Sequence, residues 1–205
     1  MPVERTFHSR YLDPKTLTVL VTGATSGFGA AVCRRFAKAG AKVIATWRRG
    51  ARLMALKKEL GARCRIAEFD MRDKRQTDAA LGALPKGFAR INLVVANAGL
   101  ALGLGPAQES DTKDWDEMIA TNINGLLYTV RATLPGMVAR DEGHVILLGS
   151  VASDFPYPGG NVYGATKAFV KQFALNLRAD LLGSNIRVTN IEPGRRHLRR
   201  PHADW

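Results

Sequence analysis

Tyr163 and Lys167 stand four residues apart, with Ser150 thirteen residues before the tyrosine. On a helix, positions i and i+4 share one face, so this spacing sets a cation beside a phenol. An unperturbed tyrosine, with a pKa of about 10, is a poor proton shuttle at neutral pH. A neighbouring cation favours the phenolate and draws the group toward the working range. Spacing alone does not carry this reading, because Tyr11 and Lys15 have it too. Pro14 lies between that pair and disfavours a helix, so no chemistry is assigned to it. Tyr163 and Lys167 instead precede Phe169, Phe173 and Leu177, which continue a helical period.

A second constellation is glycine-rich: Thr22-Gly23-Ala24-Thr25-Ser26-Gly27-Phe28-Gly29. Glycines at such positions let backbone amides approach a pyrophosphate, and a following helix N-terminus adds favourable partial charge. The bland alternative is a tight turn. Arg48 and Arg49 follow Ala45-Thr46-Trp47, where dinucleotide folds place either an acid for the ribose hydroxyls of NAD or an arginine for the 2′-phosphate of NADP. Two arginines and no acid favour NADP over a merely solvated helix start. Asp70 either accepts from an adenine amino group or caps the next helix. Asn97-Ala98-Gly99 either lets backbone lie flat against a cofactor or is an ordinary turn.

These groups must be positioned by the elements between them. Leu17–Thr22, Lys42–Thr46, Arg65–Phe69, Ile91–Ala96, Val145–Leu148 and Ile186–Ile191 are short apolar runs that read as strands. Helical patterns alternate with them over Gly27–Ala39, Arg52–Leu60, Asp73–Leu84, Thr112–Ala139 and Val162–Leu182. Parallel neighbours need such crossovers, so the expected fold is α/β: a Rossmann-like, doubly wound parallel sheet in three layers, α/β/α. Ligands then sit at the carboxyl ends of the strands, near the switch point. Every motif above falls at such an end or on the helix after it.

Together these residues resemble the short-chain dehydrogenase/reductase family, from Leu17 to Gly194. The resemblance is carried by Gly23, Gly27 and Gly29, by Asn97 to Gly99, by Asn122, by Ser150, by Tyr163 with Lys167, and by Pro193-Gly194. One departure is Ala96, where the family usually has a first asparagine. The resemblance implies Ser150, Tyr163, Lys167 and Asn122 as catalytic residues. It implies a cofactor set of Thr22, Gly23, Thr25, Ser26, Gly27, Phe28, Gly29, Arg48, Arg49, Asp70, Met71, Asn97, Ala98, Gly99, Tyr163, Lys167, Pro193 and Gly194. Segments such as Leu134-Pro135-Gly136-Met137-Val138 and Asn161-Val162-Tyr163-Gly164 are similar to NADP-dependent 3-hydroxy acid dehydrogenases. That group includes L-allo-threonine and serine dehydrogenases and malonic semialdehyde reductases. It implies NADP(H), a small hydroxy acid substrate, a cytoplasmic location and a homo-oligomer, a tetramer in the family. Asn122 is implied to support a water-mediated proton path.

Composition narrows the remainder. A 205-residue chain that is 46% hydrophobic suits one globular domain. It has no apolar run of membrane-spanning length. Cys33 and Cys64 cannot staple a domain of this size, which makes a reducing compartment the default. The four histidines show no metal-ligand spacing. The net charge of +12 invites a nucleic-acid reading, but the excess is spread without a basic block and reads as solvated surface. Domain expectations are a disordered arm over 1–16, the nucleotide-binding domain over 17–194 and a basic tail over 195–205 carrying a net +3. The resemblance stops at Gly194, so the seventh strand and substrate loop of the family are expected to be missing. The expected cause is a shifted frame or truncated gene rather than a natural basic tail. A catalytically impaired nucleotide-binding remnant is the alternative function.

Overall fold

Thr18–Thr22 (β1) is buried at every position, as a strand covered on both faces must be. In this computed structural model, which describes residues 13–48, 50–103 and 105–194, β1 lies at the centre of a six-stranded sheet. The other strands are β2 (Lys42–Trp47), β3 (Cys64–Glu68), β4 (Leu93–Ala96), β5 (Gly143–Leu148) and β6 (Ile186–Ile191). Their order is β3-β2-β1-β4-β5-β6, and every pairing is parallel. The chain therefore reverses its direction of travel between β1 and β4, which is the switch point where such sheets open a crevice. Expectations attached to residues 1–12, to Arg49 and to residues 195–205 fall outside the described residues.

Seven α-helices connect the strands among the described residues: α1 (Gly27–Lys38), α2 (Gly50–Leu60), α3 (Lys74–Gly82), α4 (Lys86–Ala89), α5 (Thr112–Ile119), α6 (Leu126–Arg140) and α7 (Asn161–Asp180). Successive strand side chains point to opposite faces, which divides the core in two. Val19, Val21, Val43 and Ala45 pack with Cys33 of α1 and with Leu53 and Leu56 of α2. Leu20, Ile44, Val94 and Val145 pack on the other face with Val130 and Met137 of α6 and Val170, Ala174 and Leu177 of α7. Cys33 and Cys64 are free and buried. Burial pushes their thiols up, to about 12 and about 11, so neither offers a reactive thiolate at neutral pH.

Two elements differ from expectation. Part of the expected N-terminal arm, Pro14–Thr16, forms a 3-10 turn that Asp13 caps by accepting from the Lys15 amide at 3.0 Å. The stretch expected as one helix over 112–139 is two helices joined by a π-helical turn, Ala120–Gly125. Asn122 lies in that turn. No helix among the described residues is long and apolar enough to cross a membrane.

Candidate active site

At the end of β1 the chain must turn into α1 within a few residues. Gly23 takes φ +65°, and a Cβ there would stand 2.9 Å from Ala98 Cα. A Cβ on Gly29 would stand only 2.2 Å from the Gly23 carbonyl oxygen. Gly27, at φ +51°, has nothing within 4 Å of that position, so the space beside it is open. Ser26 begins α1 without a side-chain capping bond. Thr25 is half-buried, whereas Ser26 and Phe28 are exposed at the loop surface.

The β4 turn is stitched to this loop. Thr22 Oγ1 accepts from the amides of Asn97 and Ala98, at 3.1 and 3.0 Å. The Asn97 side chain donates to the carbonyls of Thr22 and Gly23, at 2.9 and 3.2 Å. Thr22 is fully buried, so its hydroxyl is a stitch between strands rather than a group open to a ligand. Asn97 is likewise more than a turn residue.

Arg48, at the end of β2, lines a shallow cleft together with Trp47, Phe69, Asp70, Met71 and Thr121. Asp70 does not cap α3; Asp73 does, accepting from the Arg75 and Gln76 amides. The Asp70 carboxylate instead takes the Arg72 guanidinium, with Nε at 2.9 and 3.0 Å from its two oxygens. That pairing holds Asp70 below the usual carboxylate range.

On the other side of the switch point, Lys167 is 6% exposed and its Nζ donates to the Leu148 carbonyl at 2.7 Å. Burial lowers its pKa to about 8. The ammonium lies 5.8 Å from the centre of the Tyr163 ring. A Cβ on Gly99 would stand 3.4 Å from Lys167 Nζ and 3.3 Å from Asn122 Oδ1, a tight fit that shows how closely the β4 turn approaches both side chains. Asn122 Oδ1 accepts from the Leu100 amide, and its Nδ2 donates to the Leu100 carbonyl and to Thr166 Oγ1. The side chain is thus a brace between the β4 turn and α7. Thr166 Oγ1 donates in turn to the Tyr163 carbonyl at 2.8 Å.

Ser150 begins the turn after β5, and its Oγ accepts from the Ala152 amide at 3.1 Å. The hydroxyl proton is left to donate elsewhere. The Pro193 carbonyl accepts from the Val151 amide at 3.3 Å, which ties the segment after β6 to the Ser150 turn. The fold therefore brings Asn97–Gly99, Asn122, Tyr163 and Lys167 together, with Ser150 on the strand end next to Leu148. Three contributors escaped the sequence reading: Thr166, Arg72 and the Leu148 carbonyl. The first two are ordinary polar residues of helix and loop, and a main-chain acceptor leaves no side-chain signature.

Comparison with known proteins agrees with this geometry. The short chain dehydrogenase family model matches residues 17–197, and the chain belongs to that family. It is 56% identical over 178 residues to the NADP-dependent 3-hydroxy acid dehydrogenase YdfG of Escherichia coli strain K12, covering 87% of this chain and 72% of the relative. It is 54% identical over 177 residues to the serine 3-dehydrogenase of Agrobacterium fabrum, covering 86% and 71%. Among solved structures, the closed form of serine dehydrogenase complexed with NADP+ superposes with a TM-score of 0.85 at 56% identity, covering 86% of this chain and 71% of that one.

Proposed function

We propose that the chain is an NADP-dependent oxidoreductase that moves hydride between NADP(H) and a small 3-hydroxy acid, of the serine, L-allo-threonine or 3-hydroxypropionate type. One observation carries the reading: a buried ammonium, Lys167, is clasped by the Leu148 carbonyl beside the Tyr163 ring and against the Gly99 backbone, at the carboxyl end of the sheet. The residues present fit the cofactor. The open space at Gly27 suits a pyrophosphate, and the cleft holding Arg48 and Asp70 suits an adenosine with a 2′-phosphate. When bound, NADP(H) supplies the two-electron hydride acceptor or donor.

The protein supplies position and proton transfer. Ser150 donates a hydrogen bond from its hydroxyl to the substrate oxygen and keeps its proton. Tyr163 exchanges the substrate hydroxyl proton at its phenolic oxygen. Lys167 sets positive charge beside that ring, 5.8 Å from its centre. Asn122 braces the β4 turn and α7, which keeps Gly99 and Lys167 in register and so supports the proton path. Gly23, Gly27 and Gly29 shape the pyrophosphate loop, Met71 and Asp70 the adenine end, and Pro193-Gly194 the far side.

The same proposal takes residues 17–194 as the nucleotide-binding domain and the chain as a cytoplasmic homo-oligomer. The unreactive buried thiols and the exposed Val138 and Leu175, on α6 and α7, support it. Purified protein given NADP+ and L-serine or L-allo-threonine should generate NADPH absorbance, and light scattering should report more than one copy. NADPH binding with no turnover on any 3-hydroxy acid would overturn the enzymatic reading.

A further inference from the structure

One carboxylate oxygen lies between two guanidinium groups that line the cleft proposed for the adenosine. Glu117 Oε1, on α5, is 3.3 Å from Arg48 Nη2 and 3.3 Å from Arg72 Nη1. Arg48 and Arg72 both line that cleft. Arg72 has a second and closer anionic partner in Asp70, with Nη2 to Oδ2 at 2.5 Å. Glu117 is the ion-pair partner through which Arg48 is drawn across to α5. A carboxylate in this position does what a bound anion would do there.

Resting on the reading that Arg48 faces the 2′-phosphate, we propose that Glu117 is a specificity-determining residue that competes internally with that phosphate for Arg48. The incoming group has the stronger claim, since a phosphomonoester carries about −1.5 to −2 charge and three acceptor oxygens. The existing contacts are long and about a third exposed, so they break at small cost. Glu117 cannot retreat far, however. Its neighbour Met118 is fully buried and fixes the α5 backbone, so the displaced carboxylate stays tethered within about a Debye length, ~8 Å, of the bound phosphate and repels it. Glu117 therefore holds NADP(H) affinity below what the two arginines alone would give, while leaving the unphosphorylated cofactor untouched.

The test is fluorescence titration of NADPH and NADH against the wild type, Glu117→Gln, Arg48→Gln and the double variant. Glu117→Gln should tighten NADPH about two- to fivefold and leave NADH unchanged. The gain should vanish in the Arg48→Gln background, as a double-mutant cycle requires of a direct pair. It should also shrink at about 0.5 M salt. Glu117→Ala offers the same readout should the glutamine make a new bond to Arg48. Unchanged or weaker NADPH binding in both Glu117 variants, with a wild type that prefers NADPH, overturns the proposal alone. A wild type that binds NADPH no better than NADH overturns the cofactor reading, and the proposal with it.

Discussion

Lys167 is a charged group in a dry place. Its ammonium is satisfied by the Leu148 carbonyl, yet burial brings its pKa down to about 8, so the cation persists at neutral pH with a small margin. Tyr163→Phe removes the oxygen proposed to exchange the proton and leaves the ring in place. Turnover should fall by about 10²-fold or more, with NADPH binding unchanged in a fluorescence titration. Near wild-type turnover would remove Tyr163 from its proposed role. At this scale the sequence was informative wherever two side chains act at helical spacing, as Tyr163 and Lys167 do. It was silent where partners meet only in the fold. Arg48 and Glu117 are 69 residues apart, and nothing in either neighbourhood points to the other.

The helix that carries Asn122 is a different case. Its apolar period reads as a single helix because Met118, Leu126, Val130 and Met137 all face the core. The π turn between them has no hydrophobic signature, since it shifts phase without exposing the buried face. Its setting is polar and local: Thr129 donates to the Gly125 carbonyl at 2.8 Å, and a Cβ on Gly125 would collide with Met71. The strands were legible to within two residues at each end, and β5 reaches that margin by beginning at Gly143, ahead of the apolar run. That early start includes His144, whose Nε2 lies 2.8 Å from Thr189 Oγ1 and whose register partner is Arg187 on β6. Burial, with Arg187 adding to it, lowers the His144 pKa from 6.5 to about 4. The neutral ring is the favoured folded form, and the unfolded chain binds the proton more readily. Stability from this group is therefore complete above pH 6.5 and is lost as pH falls toward 4. His144→Gln should flatten the decline of the urea midpoint across that window, removing on the order of 1–2 kcal/mol of pH dependence once the ring's partial solvent exposure is discounted. An unaltered decline would assign the acid sensitivity elsewhere.

For the molecule as a whole, the parallel sheet was legible because alternation of strand and helix admits few other folds. The strand order was not in the periodicity. It follows from right-handed crossovers that go one way for β2 and β3 and the other way for β4 to β6. That reversal sets the glycine loop after β1 and the Tyr163–Lys167 helix after β5 on either side of the β4 turn, which meets the first through Ala98 and Gly23 and the second through Gly99 and Lys167. A ligand bound across that turn, as proposed, should stabilise the whole fold. At a hundredfold excess over its dissociation constant, NADPH should add about 2.7 kcal/mol. Thermal unfolding should then shift upward by about 5–10 °C, and by less with NADH at the same concentration. Equal shifts for the two would show that the 2′-phosphate contributes nothing.

The loop after β1 has a consequence of another kind. Its glycines serve two masters. Gly23 and Gly29 are small because the protein's own backbone crowds them, whereas no described residue approaches the space beside Gly27. A side chain at position 29 would collide with the Gly23 carbonyl, whereas one at position 27 would strain a left-handed turn and also occupy the space proposed for the pyrophosphate. The two positions therefore reject a side chain for different reasons, one for the packing of the loop and the other for its backbone shape and the open space beside it.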